Sequence, residues 1–388
     1  MATKAKDKVA APAGHARVDV KPLRGAVKAV GGVIEKRNTV PILAGLLMRS
    51  GPSTMTLTGT DLDMEISYQI DLAEAGQGKA MRVVAGSAVL DKIMAKLPAD
   101  ALMTMEEDTD ARQIKVSCGR SRFTLPLMDA DEFPEITQGG FDHQFEMMSA
   151  EFQAMMNAVR FAMSTEETRY YLMGIYLHVA DGKLAAAATD GHRLARWVGE
   201  LPDGAEGMPG VIIPRKAVAV LDSLLDAVEQ PKIEIGVSAT RMRVDVGGVS
   251  FTTKMVDGQF PDYTRVIPVA NDKSLWMDPK ALIEAVDRVA TVADGKTKAV
   301  KFTLSDGGDC PLTLSCRSLE NGNAEEEVEG QYDGDALEIG FNAAYLTDVL
   351  RHLTAEPALI KFSDGAGPVL LVDAEDARRT YVVMPMRV

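Results

Sequence analysis

Residues 168–197, TRYYLMGIYLHVADGKLAAAATDGHRLARW, show how this chain is built. In this stretch an alternating apolar run at 175–179 is followed by an Ala-Asp-Gly turn and by a second apolar run at 184–188. Two short runs joined by an Asp-Gly turn predict a β-hairpin. The second run ends at TDGHRL, residues 189–194, so the hairpin leads into a polar corner with a histidine and an arginine beside it.

Two helical stripes of apolar residues recur along the chain at a nearly constant spacing. The first is Leu23, Val27 and Val30, which returns as Phe152, Met156 and Val159 and again as Leu282, Val286 and Val289. The second is Leu90, Ile93 and Leu97, which returns as Val218, Leu221 and Leu225 and again as Leu346, Val349 and Leu353. Two stripes that share one period predict a threefold internal repeat.

Between the predicted helices apolar residues alternate with period two, as in Met242, Val244 and Val246, and Gly and Asp separate the runs. This pattern predicts several antiparallel strands in each copy. The expected fold class is therefore α+β, with two helices packed on antiparallel sheets in each of three repeated domains. We place the domains at residues 17–139, 140–268 and 269–388, after a flexible tail at residues 1–16.

Composition sets limits on what the chain can be. A length of 388 residues suggests two or three domains, and 46% hydrophobic with 25% charged residues is typical of a soluble globular protein. We find no apolar run near the roughly 20 residues that a membrane helix needs. The Ala- and Lys-rich residues 1–16 do not resemble a signal peptide. Cys118, Cys310 and Cys316 form no CxxC pair, so reduced thiols in a cytoplasm are expected.

The charge is unevenly distributed. A net charge of −14 argues against nucleic acid as a partner if it is spread evenly, because phosphates must be neutralised. The six predicted helical segments (21–37, 87–97, 150–164, 215–226, 279–296 and 342–353) sum to +5, so the other residues carry −19. Most of this asymmetry comes from residues 21–37, and ordinary solvated helix faces explain it about as well as a DNA-facing surface.

Motifs for catalysis and cofactor binding were sought in the sequence. It contains no complete P-loop, no GxGxxG opening a helix and no HExxH, so no metal or cofactor is expected. Asp61, Asp63 and Glu65 alternate along one strand, which is more often a solvated face than an acid/base pair. These carboxylates leave open the hypothesis that the protein is a carboxylate-based hydrolase that uses Asp61, Asp63 and Asp190. An acidic peptide-binding scaffold without a DNA role is another hypothesis.

The C-terminal run VVMPM, residues 382–386, has two interpretations. It is either a last core strand, which the pattern alone favours, or a segment that leaves the sheet at Pro385. In the second case Met386 and Val388 are exposed and suited to holding varied peptide side chains.

Eight pieces in order between residues 17 and 388 resemble the bacterial DNA polymerase III beta subunit family, the sliding clamps. They are NTVPIL (38–43), LTGTDLD (57–63), RSRF (120–123), RYYL (169–172), TDGHRL (189–194), PRK (214–216), VDGQFPDY (256–263) and YVVMPMR (381–387). The resemblance implies three clamp domains per chain and a head-to-tail homodimer that closes as a ring around duplex DNA. It also implies a non-enzymatic processivity factor. A closed ring holds DNA by topology, so weak, sequence-independent phosphate contacts suffice.

The resemblance implies three groups of site residues. The DNA contacts would be Arg37, Tyr170, Tyr171, Arg215 and Lys216, with Glu166 nearby as a charge that repels phosphate. The partner-peptide pocket would comprise Leu172, Thr189, Gly191, His192, Arg193, Leu194, Pro261, Arg265, Val266, Val382, Val383, Met384, Pro385, Met386 and Arg387. The dimer interface would comprise Arg120, Arg122, Phe123, Leu125, Thr291, Val292, Glu325, Glu326 and Glu327. The replicative polymerase, clamp-loader subunits, repair polymerases and mismatch-repair proteins would use the pocket, and the resemblance implies no membrane partner.

Overall fold

The structure is a computed structural model that describes residues 14–35, 39–74, 80–136, 139–228, 230–295, 298–305 and 309–388. The chain divides into two compact units, Met1–Ser149 with Ala219–Lys254, and Ala150–Val218 with Met255–Val388. Each unit is described by itself. Within the described ranges, no helix has both the length and the apolar character needed to cross a membrane.

The helices confirm the predicted repeat. The described residues form α1 Val20–Gly31, α2 Ser87–Lys96, α3 Ser149–Val159, α4 Arg215–Ala227, α5 Pro279–Val289 and α6 Ala343–Leu350. The odd-numbered helices begin at nearly evenly spaced residues, and the even-numbered helices begin at nearly the same spacing. Asn342 caps the start of α6, because its side chain accepts hydrogen bonds from the backbone N–H groups of Ala344 and Tyr345, at 3.0 and 3.3 Å.

Three predicted helices are too long. The segment predicted at 21–37 ends at Gly31, and the segments predicted at 150–164 and 279–296 continue past their α-helices only as the 3-10 turns Arg160–Ala162 and Ala290–Val292. Buried apolar residues continue past the helix ends, at Val33, Ala162, Met163 and Ala290, but the backbone that carries them is no longer α-helical.

The strands fill the rest of each copy. In chain order they are β1 His15–Asp19, β2 Gly45–Ser50, β3 Thr54–Thr60, β4 Met64–Asp71, β5 Met81–Gly86, β6 Leu102–Asp108, β7 Gln113–Cys118, β8 Ser121–Met128, β9 His143–Met148, β10 Gly174–Ala180, β11 Lys183–Thr189, β12 Arg193–Glu200, β13 Val211–Pro214, β14 Lys232–Val237, β15 Arg241–Val246, β16 Val249–Lys254, β17 Lys273–Met277, β18 Ala299–Leu304, β19 Leu312–Ser318, β20 Gly322–Val328, β21 Gln331–Asp333, β22 Leu337–Asn342, β23 Ala358–Phe362, β24 Val369–Val372 and β25 Arg379–Val383. All described pairings are antiparallel.

The first unit contains one twelve-stranded sheet, in the order β1-β6-β7-β8-β5-β2-β3-β4-β16-β15-β14-β9. The second contains a nine-stranded sheet, β13-β10-β11-β12-β25-β24-β23-β17-β21, and a four-stranded sheet, β20-β19-β18-β22. The predicted hairpin is β10–β11, and its turn residues Asp181 and Gly182 have φ of 51° and 70°. Positive φ at both positions is what a tight hairpin turn requires, and Asp-Gly supplies it.

Strand register is the same in all three copies. Ala16, Phe145 and Leu275 each lie four residues before the start of α1, α3 and α5. Across the strands they form the rows Ala16-Met105-Val116-Phe123, Phe145-Ile235-Val244-Phe251 and Leu275-Ile360-Leu371-Tyr381. The last members, Phe123, Phe251 and Tyr381, are therefore equivalent positions.

Neighbouring copies join through one strand pair each. In the first unit β4 pairs with β16, and Ile66 lies opposite Phe251. In the second unit β12 pairs with β25, and Ala195 lies opposite Tyr381. Because the opposed residues are equivalent in the two cases, both joints have the same register.

Among the described residues, β20 and β8 each have an edge that is at least partly unpaired. β20 is equivalent to β4 and β12, and β8 is equivalent to β16 and β25. β20 is the outer strand of the four-stranded sheet. β8 pairs with β5 only through Leu127 and Met128, which leaves the edge of residues 121–126 open on that side. The third-copy member and the first-copy member of the repeated strand pair are therefore both available to another strand.

The predicted tail at residues 1–16 is too long at its end. β1 begins at His15, and Ala16 is fully buried opposite Met105. A small apolar side chain in a sheet row is held by packing, which explains why the strand starts there. Residues 1–13 of the predicted tail lie outside the described residues.

Candidate functional site

An apolar cluster lies in the second unit, around the polar corner at residues 189–194. Its buried members are Leu172, Ala187, Leu194, Ile212, Phe260, Tyr263 and Val382. Half-buried side chains pack against it, namely Tyr171, Tyr176, Val256, Ile267 and Leu370. The cluster thus joins three predicted pocket residues, Leu172, Leu194 and Val382, although they are far apart in sequence. Val266 and Met384, which follow cluster members in the chain, are 38% and 36% exposed and extend the apolar surface outward.

Stacked rings support one side of this cluster. The Tyr176 ring stacks on Phe260 with centroids 4.9 Å apart, and on His178 with centroids 4.3 Å apart. The Tyr263 hydroxyl lies 3.1 Å from His178 Nε2, within hydrogen-bond distance. Sequence analysis missed all four residues as site residues. The alternation of Tyr176 and His178 along β10 was the available signal, because side chains two apart in a strand share a face.

Burial lowers the pKa of His178 below its ordinary value, so the folded protein holds this ring neutral. The unfolded chain takes up the proton first as the pH falls below about 6.5, and folding stability must then decrease. Above that pH the histidine is neutral in both the folded and the unfolded chain, so it does not make folding stability depend on pH. We expect the melting temperature to fall between pH 6.5 and 5, and to fall less steeply in His178→Gln. The control His143→Gln, at the start of β9, should keep the wild-type slope, and equal slopes in both variants would contradict the expectation.

The corner at residues 189–194 is fixed by its own side chains. Thr189 Oγ1 donates to the carbonyl of Arg193 at 2.6 Å and accepts the N–H of Gly191 at 3.1 Å. Asp190 Oδ1 accepts the N–H groups of His192 and Arg193, at 2.9 and 3.0 Å. Gly191 has φ of 89°, and a Cβ there would come within 2.7 Å of an Arg169 nitrogen. The corner therefore needs glycine for its backbone conformation and for the close approach of Arg169.

Arg193 was predicted to contact partner peptides, but its guanidinium is directed into the protein. It donates to Asp348 at 2.6 Å, to Asp190 at 3.2 Å and to the carbonyl of Phe161 at 2.9 Å. It also lies over the Tyr345 ring, 4.9 Å from the centroid, and only 10% of the side chain is exposed. A buried guanidinium needs such partners. Here they hold the Arg193 guanidinium inside the protein, where it stabilises the corner at residues 189–194.

Each interpretation of the C-terminal sequence holds for part of the segment, since Val388 is exposed as the second one expects, whereas Met386 is half-buried. Val382 and Val383 are buried core residues of β25, and Val383 pairs with Arg193. The ladder then ends, with one last bond from Met384 N–H to the carbonyl of His192 at 2.9 Å. Pro385 cannot donate to a ladder, which explains why the chain leaves the sheet here.

Beyond Pro385 the chain crosses another strand of the second unit. The Met386 N–H donates to the carbonyl of Gly340 at 2.9 Å. A Cβ on Gly340 would meet Val388 at 2.3 Å, so glycine permits this crossing. A cleft of about 500 Å³ lies here, lined partly by Pro385, Met386 and Arg387. The predicted pocket residues therefore fall into two groups, one at the apolar cluster and one at this cleft.

The other predicted pocket residues are more exposed. Pro261 and Arg265 lie at the surface, and Arg265 Nε donates to Asp262 at 2.8 Å. His192 is exposed, and its ring stacks on Tyr345 with centroids 5.4 Å apart. An extended peptide would meet these polar groups at the rim of the apolar cluster.

A short 3-10 segment, Glu167–Leu172, carries the two predicted DNA-contacting tyrosines. Tyr170 is 52% exposed, and its ring meets Tyr171 edge-on with centroids 5.7 Å apart. Glu166, expected to repel phosphate, forms an ion pair with Arg169 at 2.7 Å. The carboxylate is therefore locally compensated, and the repulsion is weaker than the sequence suggests.

The start of α4 is tied to the same segment. Arg215 N–H donates to the carbonyl of Met173 at 2.9 Å, and its guanidinium donates to the carbonyl of Ser164 at 3.3 Å. Arg215 and Lys216 are both exposed, and Arg215 is bonded to the residues that flank the tyrosine segment. Arg37, the remaining predicted DNA contact, lies outside the described residues.

The predicted interface residues lie on the two open edges and near them. Arg120 and Arg122 are exposed at the start of β8, while Leu125 is buried and Phe123 half-buried. In the second unit Glu325 and Glu327 lie along β20, where Glu325 is exposed and Glu327 precedes the buried Val328. Thr291 is exposed and Val292 half-buried, and the Val292 carbonyl lies 3.4 Å from the Asn321 amide nitrogen that donates to it. Glu326 accepts hydrogen bonds from the Arg288 guanidinium of its own chain, at 2.6 and 3.1 Å, and its place in the interface stays a prediction.

The acidic pattern at Asp61, Asp63 and Glu65 has structural partners, and so has Asp190, the third carboxylate of the hydrolase alternative, which accepts two backbone N–H groups and pairs with Arg193. Asp61 accepts the N–H groups of Asp63 and Met64 at 3.0 and 2.7 Å. Asp63 pairs with Lys254 at 3.0 Å. Glu65 accepts the N–H of Ile136 at 2.9 Å, and burial raises its pKa. These contacts close a turn, an ion pair and a loop, and they account for the acidic pattern without chemistry.

The first copy contains a smaller counterpart of the apolar cluster, formed by Leu47, Val84 and Phe133. It differs at two decisive positions. Leu194 and Val382 lie opposite each other in the joint of the second unit, whereas Glu65 and Thr252 are the opposed pair in the first unit. Polar side chains replace the two apolar ones, so the first copy does not repeat the apolar pocket.

Models of the DNA polymerase III beta subunit family match nearly the whole chain. The N-terminal domain matches residues 17–137, the central domain 146–262 and the C-terminal domain 264–387. These matches agree with a chain of three clamp domains built of helices and antiparallel sheets. The domain boundaries given from the sequence stay a prediction.

Individual proteins are similar over the same length. The beta sliding clamp of Caulobacter vibrioides (strain NA1000 / CB15N) is 41% identical over 369 residues, covering 93% of this chain and 97% of that protein. The beta sliding clamp of Pseudomonas putida is 36% identical, covering 96% of this chain and 100% of that protein. Among solved structures, the Bartonella birtlesii DnaN sliding clamp bound to griselimycin is 37% identical with a TM-score of 0.90, covering 97% of this chain and 100% of that one.

Proposed function

Because the chain belongs to the DNA polymerase III beta subunit family, whose members are non-catalytic sliding clamps, we propose that two copies close head to tail into a ring around duplex DNA. The ring tethers the replicative polymerase and so makes DNA synthesis processive. We place this activity in the cytoplasm, which suits the three free cysteines.

The proposal of a ring rests on the open edges of β8 and β20. Each internal joint places equivalent residues opposite each other, and β20 and β8 are the third-copy and first-copy members of that same pair. A joint between subunits with the register of the internal joints places Ala324 opposite the partner subunit's Phe123. Ile66, Ala195 and Ala324 are evenly spaced along the chain, so they are equivalent residues. A second copy in the same orientation then completes both edges, which is a head-to-tail dimer.

The same register brings opposite charges together. On the solvent face, Glu325 falls opposite the partner subunit's Arg122, and Glu327 falls opposite the partner subunit's Arg120. On the other face Gly322 falls opposite the partner subunit's Leu125, where glycine has no side chain to clash with the leucine. Directly opposed unlike charges stabilise cross-strand pairs. Glu326 falls on the inner face, beside its own Arg288.

DNA would be held without sequence recognition. Arg215, Lys216 and the exposed Tyr170 offer cations and a ring to the phosphate backbone, and Arg37 is proposed with them. The overall charge of −14 allows this, because a ring retains DNA by enclosure and needs few phosphate contacts.

Partners would bind through short hydrophobic peptides in extended form. The cluster around Leu172, Leu194 and Val382 supplies the apolar floor, and Met384 and Val266 supply adaptable apolar edges. Clamp-loader subunits, repair polymerases and mismatch-repair proteins are proposed to share this site with the polymerase.

Retention on DNA tests the proposed ring. The protein is loaded by its ATP-driven loader onto a nicked circular plasmid, and the bound fraction is measured by gel filtration. We expect a dimer that stays on the circle and is lost when one cut makes the DNA linear, because a ring slides off a free end. Equal binding to circular and linear DNA, or binding without a loader, would contradict enclosure.

A further inference from the structure

The two internal joints end in an equivalent hydrogen bond. In the first unit the Lys254 N–H donates to the carbonyl of Asp63 at 2.8 Å. In the second unit the Met384 N–H donates to the carbonyl of His192 at 2.9 Å. Lys254 and Met384 each lie three residues after the equivalent positions Phe251 and Tyr381. Each bond therefore closes the same end of its joint.

The equivalent residue of the first copy cannot make this bond. Three residues after Phe123 stands Pro126, which has no N–H. The residues of β8 alternate in direction, because Leu127 N–H donates to the carbonyl of Arg112 on the β7 side. Its even-numbered neighbours, Pro126 among them, are directed to the open edge. Proline is tolerated in a sheet at such an edge, where its missing donor removes nothing from the ladder within the chain.

We propose that the joint between subunits repeats the register of the internal joints but lacks their terminal hydrogen bond, which makes it weaker than they are. The acceptor left without this donor is the carbonyl of the partner subunit's Asn321, the residue equivalent to Asp63 and His192. Pro126 also ends the ladder at a defined residue, so β8 cannot extend its pairing further along the hairpin. This inference rests on the proposed head-to-tail dimer.

Restoring the donor tests the inference. Pro126→Ser and Pro126→Ala both supply an N–H at the open edge, and an intramolecular hydrogen bond is worth about 0.5–1.5 kcal/mol net. Each dimer contains two such joints and gains two bonds, so we expect the dimer dissociation constant, measured by sedimentation at nanomolar to micromolar concentration, to fall about 5- to 160-fold in both variants. Equal effects of serine and alanine would assign the gain to the backbone.

Two further variants complete the design. Thr124→Pro removes a donor from the same open edge and should raise the dissociation constant, while thermal melting verifies that the chain is folded. Lys254→Pro removes the equivalent donor from an internal joint, so it should lower the melting temperature and leave the dissociation constant unchanged. An unchanged constant in both Pro126 variants, with wild-type dimers present, overturns the inference alone. A wild-type chain that is monomeric at every concentration overturns the proposed dimer.

Discussion

Changing Arg120 and Arg122 to glutamate should leave the chain monomeric. In the proposed register these residues face the partner subunit's Glu325 and the partner subunit's Glu327, so the reversal sets like charges opposite each other in both joints of the ring. Like-charge juxtaposition at an interface costs several kcal/mol, and we expect the dissociation constant to rise at least about 100-fold. Sedimentation measures the change, and melting temperature verifies folding.

The reciprocal variant makes this test specific. Changing Glu325 and Glu327 to arginine should also give monomers, yet a mixture of the two variants should form dimers. In the mixture each joint again has arginine opposite glutamate, which no general destabilisation can reproduce. Glu326→Arg is the matched control within the same strand: Glu326 faces its own Arg288, so the change should disturb the chain's stability and should not be rescued by the Arg120/Arg122 variant. Failure of the mixture to dimerise would contradict the register.

Removal of residues 384–388 should abolish peptide binding and leave the dimer intact. The deletion takes away the exposed Met384 side chain and its bond to the carbonyl of His192, while β25 ends before it, at Val383. Binding hot spots are worth about 2 kcal/mol or more each, so we expect at least about a 30-fold loss of affinity for a fluorescent hydrophobic tail peptide of the polymerase. Fluorescence anisotropy measures the loss.

A shorter truncation controls for the loss of chain length. Removing only Arg387 and Val388 keeps Met384 and the Met386 bond to Gly340, and should weaken binding much less. Sedimentation of both truncations should give wild-type dimers, because β8 and β20 are untouched. A monomeric 384–388 deletion would mean that the segment is part of the core.

The repeat could be predicted from sequence because burial imposes a period. Leu23, Phe152 and Leu282 occupy one position of three helices, and each must be apolar to pack on its sheet. The hairpin of β10 and β11 was equally predictable, since Asp181 and Gly182 supply the backbone conformation that its turn demands. Local chemistry and packing agreed at these points, and the structure confirms both predictions.

Contacts between distant segments could not be predicted in this way. Arg193 has the same sequence neighbours whether its guanidinium meets a peptide or Asp348, and only the fold brings Asp348 within 2.6 Å. The compensation of Glu166 by Arg169 was nearer in sequence, yet its geometry depends on the irregular backbone of that 3-10 segment. The helix ends were missed because buried apolar residues such as Val33, Ala162 and Ala290 continue past them in backbone that is not α-helical.

The replacement of Leu194 and Val382 by Glu65 and Thr252 in the first copy determines how partners would share the clamp. Because the first copy does not repeat the apolar pocket, it offers no further site, and proteins that bind in this way compete for the pocket in the second unit of each subunit. Occupancy would then follow affinity and local abundance, and a handover from one protein to the next would require the outgoing tail to dissociate. The exchange of partner proteins on DNA would then be controlled by the displacement of one bound peptide by another in this pocket.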